Sequence, residues 1–145
     1  MSITARLSFA IVPSMPTVPL GVEVWLNGHK IFNQEHASQA EMFTHDISEQ
    51  DGEHVLQIVL KHKLPAHTQI DSDNNIVSDA SININDFMFE DIDVRQIVYD
   101  IAEYQHDFNG HGPAGTHKFY GNMGCNGTVT VKFSTPIYLW LLEKM

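Results

Sequence analysis

Two stretches of this chain carry the residue types that do chemistry. The first, TQIDSDNNIVSDAS, places Asp71, Asp73, Asn75 and Asp79 close together. Calcium takes several hard oxygen ligands and is well served by one flexible loop of Asp and Asn side chains, so these four are the candidate metal ligands. The run departs from the common calcium-loop pattern at Ile76, where the sharp turn needs Gly, and at Ile82, where a bidentate Glu belongs. A solvated turn held by Asx-type hydrogen bonds would use the same residues. The second stretch, HDFNGHGPAGTHKFYGNMGCNG, holds three of the nine histidines, the one cysteine and six of the nine glycines. It lacks an H-x-H pair and an H-E-x-x-H helix, and its histidine spacing fits no common metal frame. Cys125 with nearby His allows a Cys–His pair on paper, and no G-x-S-x-G elbow is present.

The same stretch is rich in the groups that bind neutral polyhydroxyl ligands. Aromatic rings stack on a sugar face, and short amides, carboxylates and imidazoles take its hydroxyls. Tyr104, Asp107, Asn109, His111, His117, Tyr120 and Asn122 are therefore the candidate ligand-binding residues, with Trp25 added because alternation puts it on the polar face of its strand. The competing use of these residues is to cap a core and satisfy loop backbone.

Charge narrows the partners. Eighteen acidic against eight basic residues give a net charge of −10. Such a surface repels phosphates, which speaks against nucleic acid and anionic membrane as partners. The N-terminus alternates Ile3, Ala5, Leu7, Phe9 and Ile11 with polar residues, a strand pattern rather than the solid apolar block of a signal peptide. Ile137 to Leu142 is the longest apolar run and is too short to span a bilayer.

The elements that must position these residues read mostly as strands. Val22, Val24 and Leu26 alternate ahead of Asn27-Gly28, a strong signal for a type I′ hairpin. Leu56, Ile58 and Leu60, then Ala80, Ile82 and Ile84, then Val129, Val131 and Phe133 repeat the period of two. Val94, Ile97, Val98 and Ile101 instead follow helical spacing, while Ile97, Tyr99 and Ile101 also alternate, so one short helix near 93–104, with Asp93 as its cap and Gln96 completing a capping box, or an irregular turn plus strand is expected. Ile137 to Leu142 is apolar on both faces. It reads as a strand covered on both sides or as a homo-oligomer contact through Ile137, Leu139 and Leu141. The expectation is one all-β domain over residues 1–145, an antiparallel sandwich of about eight strands with jelly-roll character.

Two segments resemble known groups. ASININDFMFEDIDV resembles the late strands of small calcium-assisted carbohydrate-binding β-sandwich modules that recognise xylan-like chains. GTVTVKFSTPIYLWLLEKM is similar to the C-terminal end of short, uncharacterised β-proteins of tailed marine bacteriophages. The first resemblance implies a jelly-roll sandwich, a calcium ion and a glycan. The second implies a protein of the virion or of the infected host cytoplasm, in keeping with the missing signal peptide. The leading expectation is a non-catalytic binding protein for a carbohydrate, with calcium as a candidate cofactor. A phage-encoded structural or interaction protein that oligomerises is the alternative, followed by a His-dependent metalloenzyme.

Overall fold

The computed structural model describes residues 3–110 and 112–144. Strands β1 (Thr4–Pro13), β2 (Gly21–Leu26), β3 (His29–Gln34), β4 (Glu41–Ser48) and β5 (Gly52–Lys61) open the chain. A short hairpin follows, β6 (Thr68–Ile70) and β7 (Ile76–Asp79), then β8 (Ile82–Phe89) and β9 (Ile92–Asp93). Helix α1 (Arg95–Ile101) leads into β10 (Glu103–His106), β11 (Gly115–Lys118), β12 (Asn122–Met123) and β13 (Gly127–Thr135), and helix α2 (Ile137–Lys144) ends the fold.

The chain is an antiparallel β-sandwich. One sheet runs β12-β8-β1-β4 with β9 on β8, and the facing sheet runs β11-β10-β13-β5-β2-β3. Alternation decides what lies between them. Leu7, Phe9 and Ile11 of β1, Ile82 and Ile84 of β8, Leu56, Ile58 and Leu60 of β5, and Val129 and Val131 of β13 are all buried. Rings close the gap: Phe89 lies 5.0 Å from Phe133, and Phe32 lies 5.9 Å from Phe43, centroid to centroid. Asn27 and Gly28 hold φ of 51° and 83°, as the hairpin between β2 and β3 requires.

Two sequence-based expectations need correction. Ile137–Leu142 is not a strand. It forms α2, which buries Ile137, Trp140 and Leu141 at helical spacing. Trp140 packs at 5.8 Å from Phe89 and 6.2 Å from Phe133, bridging the two sheets at the sandwich edge. The backbone N–H of Ile137 is satisfied by Glu49 Oε2 at 2.9 Å. Ile137 and Leu141 therefore belong to the core and cannot form a subunit contact, while Tyr138, Leu139 and Leu142 face outward. Secondly, the helix near 93–104 forms, but Val94 is its N-cap and makes no side-chain cap bond. Asp93 sits one residue earlier, where it accepts the Arg95 N–H at 2.9 Å and pairs with the Arg95 guanidinium. The chain then leaves the helix at Ala102, so Tyr104 lies in a strand.

Candidate functional site

A cavity of about 810 Å³ opens at one edge of the six-stranded sheet. Gln105, Asp107, Asn109, Thr116 and Asn126 supply its polar walls, and Gly110, Ala114, Gly115 and Gly127 keep it wide. Strand register explains the grouping. Gln105 of β10 lies opposite Thr116 of β11, and His106 lies opposite both Gly115 and Gly127. Two glycines flanking one residue across adjacent strands leave a gap where side chains would stand. At Gly127 the fit is forced, because a Cβ there would come within 2.3 Å of the Gln105 carbonyl oxygen.

An aromatic cluster adjoins the cavity through His106, which also lines it. His106 and His117 stack with centroids 4.3 Å apart, and the Phe108 ring stands edge-on to both, at 4.8 and 4.9 Å. His106 Nδ1 accepts the Phe108 N–H at 3.1 Å, which leaves the proton of the neutral ring on Nε2. Burial, followed by the neighbouring His117, holds the His106 pKa below the usual histidine value, with Asp107 opposing. His117 Nε2 is buried and has no hydrogen-bond partner among the described residues.

The sequence-selected residues divide between several places. Asp107 and Asn109 line the cavity. Asp107 accepts the Gly110 N–H at 3.0 Å, and Asn109 adopts a left-handed φ of 58° to turn the loop. His117 stacks on His106 and does not itself line the cavity. Tyr104 is buried at 5% exposure and is a structural residue, not a stacking platform. Its hydroxyl donates to the Cys125 carbonyl and accepts the Cys125 N–H at 2.9 Å, and burial pushes its pKa far above the ordinary phenol value. Tyr120 is exposed and packs edge-on to Tyr99 at 6.0 Å. Asn122 belongs to β12 of the other sheet, where its amide donates to Ser81 Oγ and Asn83 Oδ1. Trp25 is partly exposed on β2, its Nε1 on Glu23 and the Lys30 ammonium 5.7 Å from its ring. None of these three lines the cavity. His111 lies outside the described residues.

The candidate calcium set does not converge. Asp71 Oδ1 accepts the N–H groups of Asp73 at 2.9 Å and Asn75 at 3.0 Å, an Asx-type turn at the tip of the β6–β7 hairpin. Asp79 lies at the other end of that hairpin, opposite Thr68. Its Oδ1 accepts Lys63 Nζ at 2.5 Å and Thr68 Oγ1 at 2.6 Å. Among the described residues, no three His, Cys, Asp or Glu side chains are placed to share a metal ion. The four residues therefore do not fit one calcium ion.

Catalytic arrangements fare no better. Burial raises the pKa of the Cys125 thiol, which keeps it protonated and weakly nucleophilic at neutral pH. A Thr135–His54–Asn27 row looks like a hydrolytic triad, but its protons point the wrong way. Asn27 Oδ1 takes the Val55 N–H, so Asn27 Nδ2 must donate to His54 Nδ1. His54 Nε2 then carries the proton toward Thr135, whose hydroxyl donates to the Gln50 carbonyl at 2.5 Å. That imidazole cannot act as a base toward Thr135.

Comparison with solved structures places this architecture.

The chain shares its fold with a carbohydrate-binding module. The relative is vCBM60, described in the context of two families of calcium-dependent carbohydrate-binding modules linked by circular permutation. The match has a TM-score of 0.53 at 9% identity and covers 87% of this chain and 88% of the module. No family model matches the chain, and no curated protein matches it in sequence.

Sequence reasoning missed Gln105, Thr116 and Lys63. The first two become neighbours only through strand pairing, which no local pattern reports. Simple alternation puts Lys63 on the outer face with Lys61. His62, at φ 72°, breaks that alternation and turns Lys63 inward.

Proposed function

We propose that the cavity bounded by β10, β11 and the 107–110 loop binds a carbohydrate and that the protein acts as a non-catalytic binding module. The observation that carries this reading is the lining: two Asn, one Gln, one Thr, one Asp and one His around an open pocket of about 810 Å³. The Gln105 amide and Thr116 hydroxyl both donate and accept, which matches vicinal hydroxyls. The Asn109 and Asn126 amides, already bonded to backbone, each keep one N–H and one lone pair for a ligand, and Asp107 keeps a carboxylate oxygen for sugar O–H donors. Among the described residues no Lys or Arg lines it, in keeping with a neutral rather than an anionic ligand. The shared fold with a carbohydrate-binding module supports the same class of ligand. Xylan-like chains are the first to test, on the resemblance of the 80–94 segment. Calcium is not assigned to Asp71, Asp73, Asn75 and Asp79, because Asp71 is engaged with its own turn, Asp79 is engaged with Lys63 and Thr68 at the other end of the hairpin, and the four do not converge.

Titration calorimetry with neutral oligosaccharides is the test. Thr116→Val and Gln105→Ala each remove a polar group while leaving the core intact. Each is expected to weaken binding about three- to tenfold, the weight of one net hydrogen bond. A panel of neutral glycans that gives no heat and no competition would dispose of the proposal.

A second reading, a component of an assembly, is favoured by the exposed Tyr138, Leu139 and Leu142 on α2. Light scattering of the purified protein against Leu139→Asp decides it. A native monomer ends this reading, and a native oligomer that the substitution dissociates supports it.

A further inference from the structure

Lys63 is an unusual residue for its surroundings. Its side chain is 1% exposed, and its ammonium is held by Asp79 Oδ1 and the Gly124 carbonyl, both at 2.5 Å. Its main chain is clamped as well: Asn126 Oδ1 accepts the Lys63 N–H and Asn126 Nδ2 donates to the Lys63 carbonyl, each at 2.8 Å. The Asn126 N–H in turn donates to Asn109 Oδ1 at 2.8 Å, and Asn109 Nδ2 reaches the Gly124 carbonyl at 3.4 Å. The result is a closed ring of contacts, Lys63 to Gly124 to Asn109 to Asn126 and back to Lys63. Asp79 ties that ring to the β6–β7 hairpin. Asn109 and Asn126 are two of the polar walls of the cavity.

The oxygens around the ammonium are of the kind a hard cation seeks: one carboxylate and one peptide carbonyl. A metal ion entering here would have to expel the ammonium and leave it buried without a partner, which is strongly unfavourable. The positive charge is already present and is covalently attached, so the loops need no ion from solution.

We infer that Lys63 is a tethered cation, a positioning residue whose ammonium orders the 122–127 segment and the 107–110 loop and so sets Asn109 and Asn126 in the cavity wall without calcium. This ordering holds whether or not the ligand is a carbohydrate.

The test uses the full chain, stripped of divalent ions, followed by thermal melts and backbone amide spectra. Excess EDTA and excess calcium chloride are each expected to leave Tm and the Asp79, Asn109, Gly124 and Asn126 signals of the native protein unmoved. Lys63→Ala is expected to lower Tm by roughly 5–10 °C and to displace the same four signals. Propylammonium chloride is expected to recover part of that loss, where equal sodium chloride does not. Asp79→Asn keeps the side-chain shape and removes the charge. It should displace the Gly124, Asn109 and Asn126 signals even if Lys63→Ala does not fold. A native protein whose Tm falls in EDTA, or whose Asp79 and Gly124 signals move with calcium, overturns the inference. So does either variant that folds with those signals in place, or a rescue by sodium as large as by propylammonium. A native protein indifferent to calcium that also binds no glycan would leave Lys63 in this role and remove the carbohydrate reading alone.

Discussion

Replacing Tyr104 with Phe separates two accounts of the same residue. If its ring were a sugar platform, Tyr104→Phe would keep the stacking face and leave stability unchanged. The structure assigns it a different task. Its hydroxyl both donates to and accepts from the backbone of Cys125, pinning the segment that carries Asn126 into the cavity. The substitution removes one oxygen, leaves the ring packed against Phe119 at 6.3 Å and creates no large cavity. What it costs is two hydrogen bonds, each contributing about 0.5–1.5 kcal/mol net, with two backbone groups left short of a partner. The expected loss is about 2 kcal/mol. For a chain of this size a loss of 1 kcal/mol lowers Tm by roughly 3–4 °C, so the melt should fall by about 6–8 °C. Circular dichroism melts of the two proteins give the number directly. Amide spectra should show the change centred on Gly124 to Gly127. A Tm within a degree of the native value would refute the pinning role.

Other perturbations follow from the same geometry. Gly127→Ala should disrupt the pairing of β10 with β13 at the cavity floor, because the new methyl meets the Gln105 carbonyl, and glycan affinity should fall more than tenfold in calorimetry. Trp140→Ala, which removes the ring that bridges the sheets, should destabilise by about 3–5 kcal/mol in urea titration, whereas Leu139→Ala on the outer face of α2 should cost under about 0.5 kcal/mol. Burial lowers the pKa of both His54 and His106 below 6.5. Each imidazole therefore binds its proton more weakly folded than unfolded, so the stabilisation is complete above that value and is lost as pH falls through the folded pKa. Urea midpoints should drop between neutral pH and about pH 5, and His54→Gln should remove part of the drop. Midpoints that stay flat across that interval would contradict the assignment.

The sandwich was legible in the sequence because its signals are local. Leu56, Ile58 and Leu60 announce a half-buried strand by alternation, and Asn27-Gly28 announces its hairpin through tolerance of positive φ. Helix α2 was not legible because IYLWLL is apolar at every position, which erases the contrast between a period of two and one of 3.6. The site was legible only in part. Asp107 and Asn109 sit in a loop whose composition marks it, and both line the cavity. Tyr104 was misread because a strand of four residues, EYQH, is too short to reveal which face is buried. The Asp71 to Asp79 run suggested one ion-binding loop, and the hairpin pairing of Thr68 with Asp79 separates its last member from the rest. The partner that claims Asp79 is Lys63, whose inward turn depends on the positive φ of His62, a conformation no residue type in that run would announce.

The most direct test of carbohydrate binding at this cavity is an amide-detected titration of the isotope-labelled protein with neutral xylan-type and other glycan oligosaccharides. The account predicts saturable shifts at Gln105, Asp107, Asn109, Thr116 and Asn126, with Trp25, Tyr120 and the Asp71–Asn75 turn unmoved and with the same isotherm in EDTA. Shifts centred on Trp25 or on the Asp71 turn, or no shift with any glycan, would contradict it.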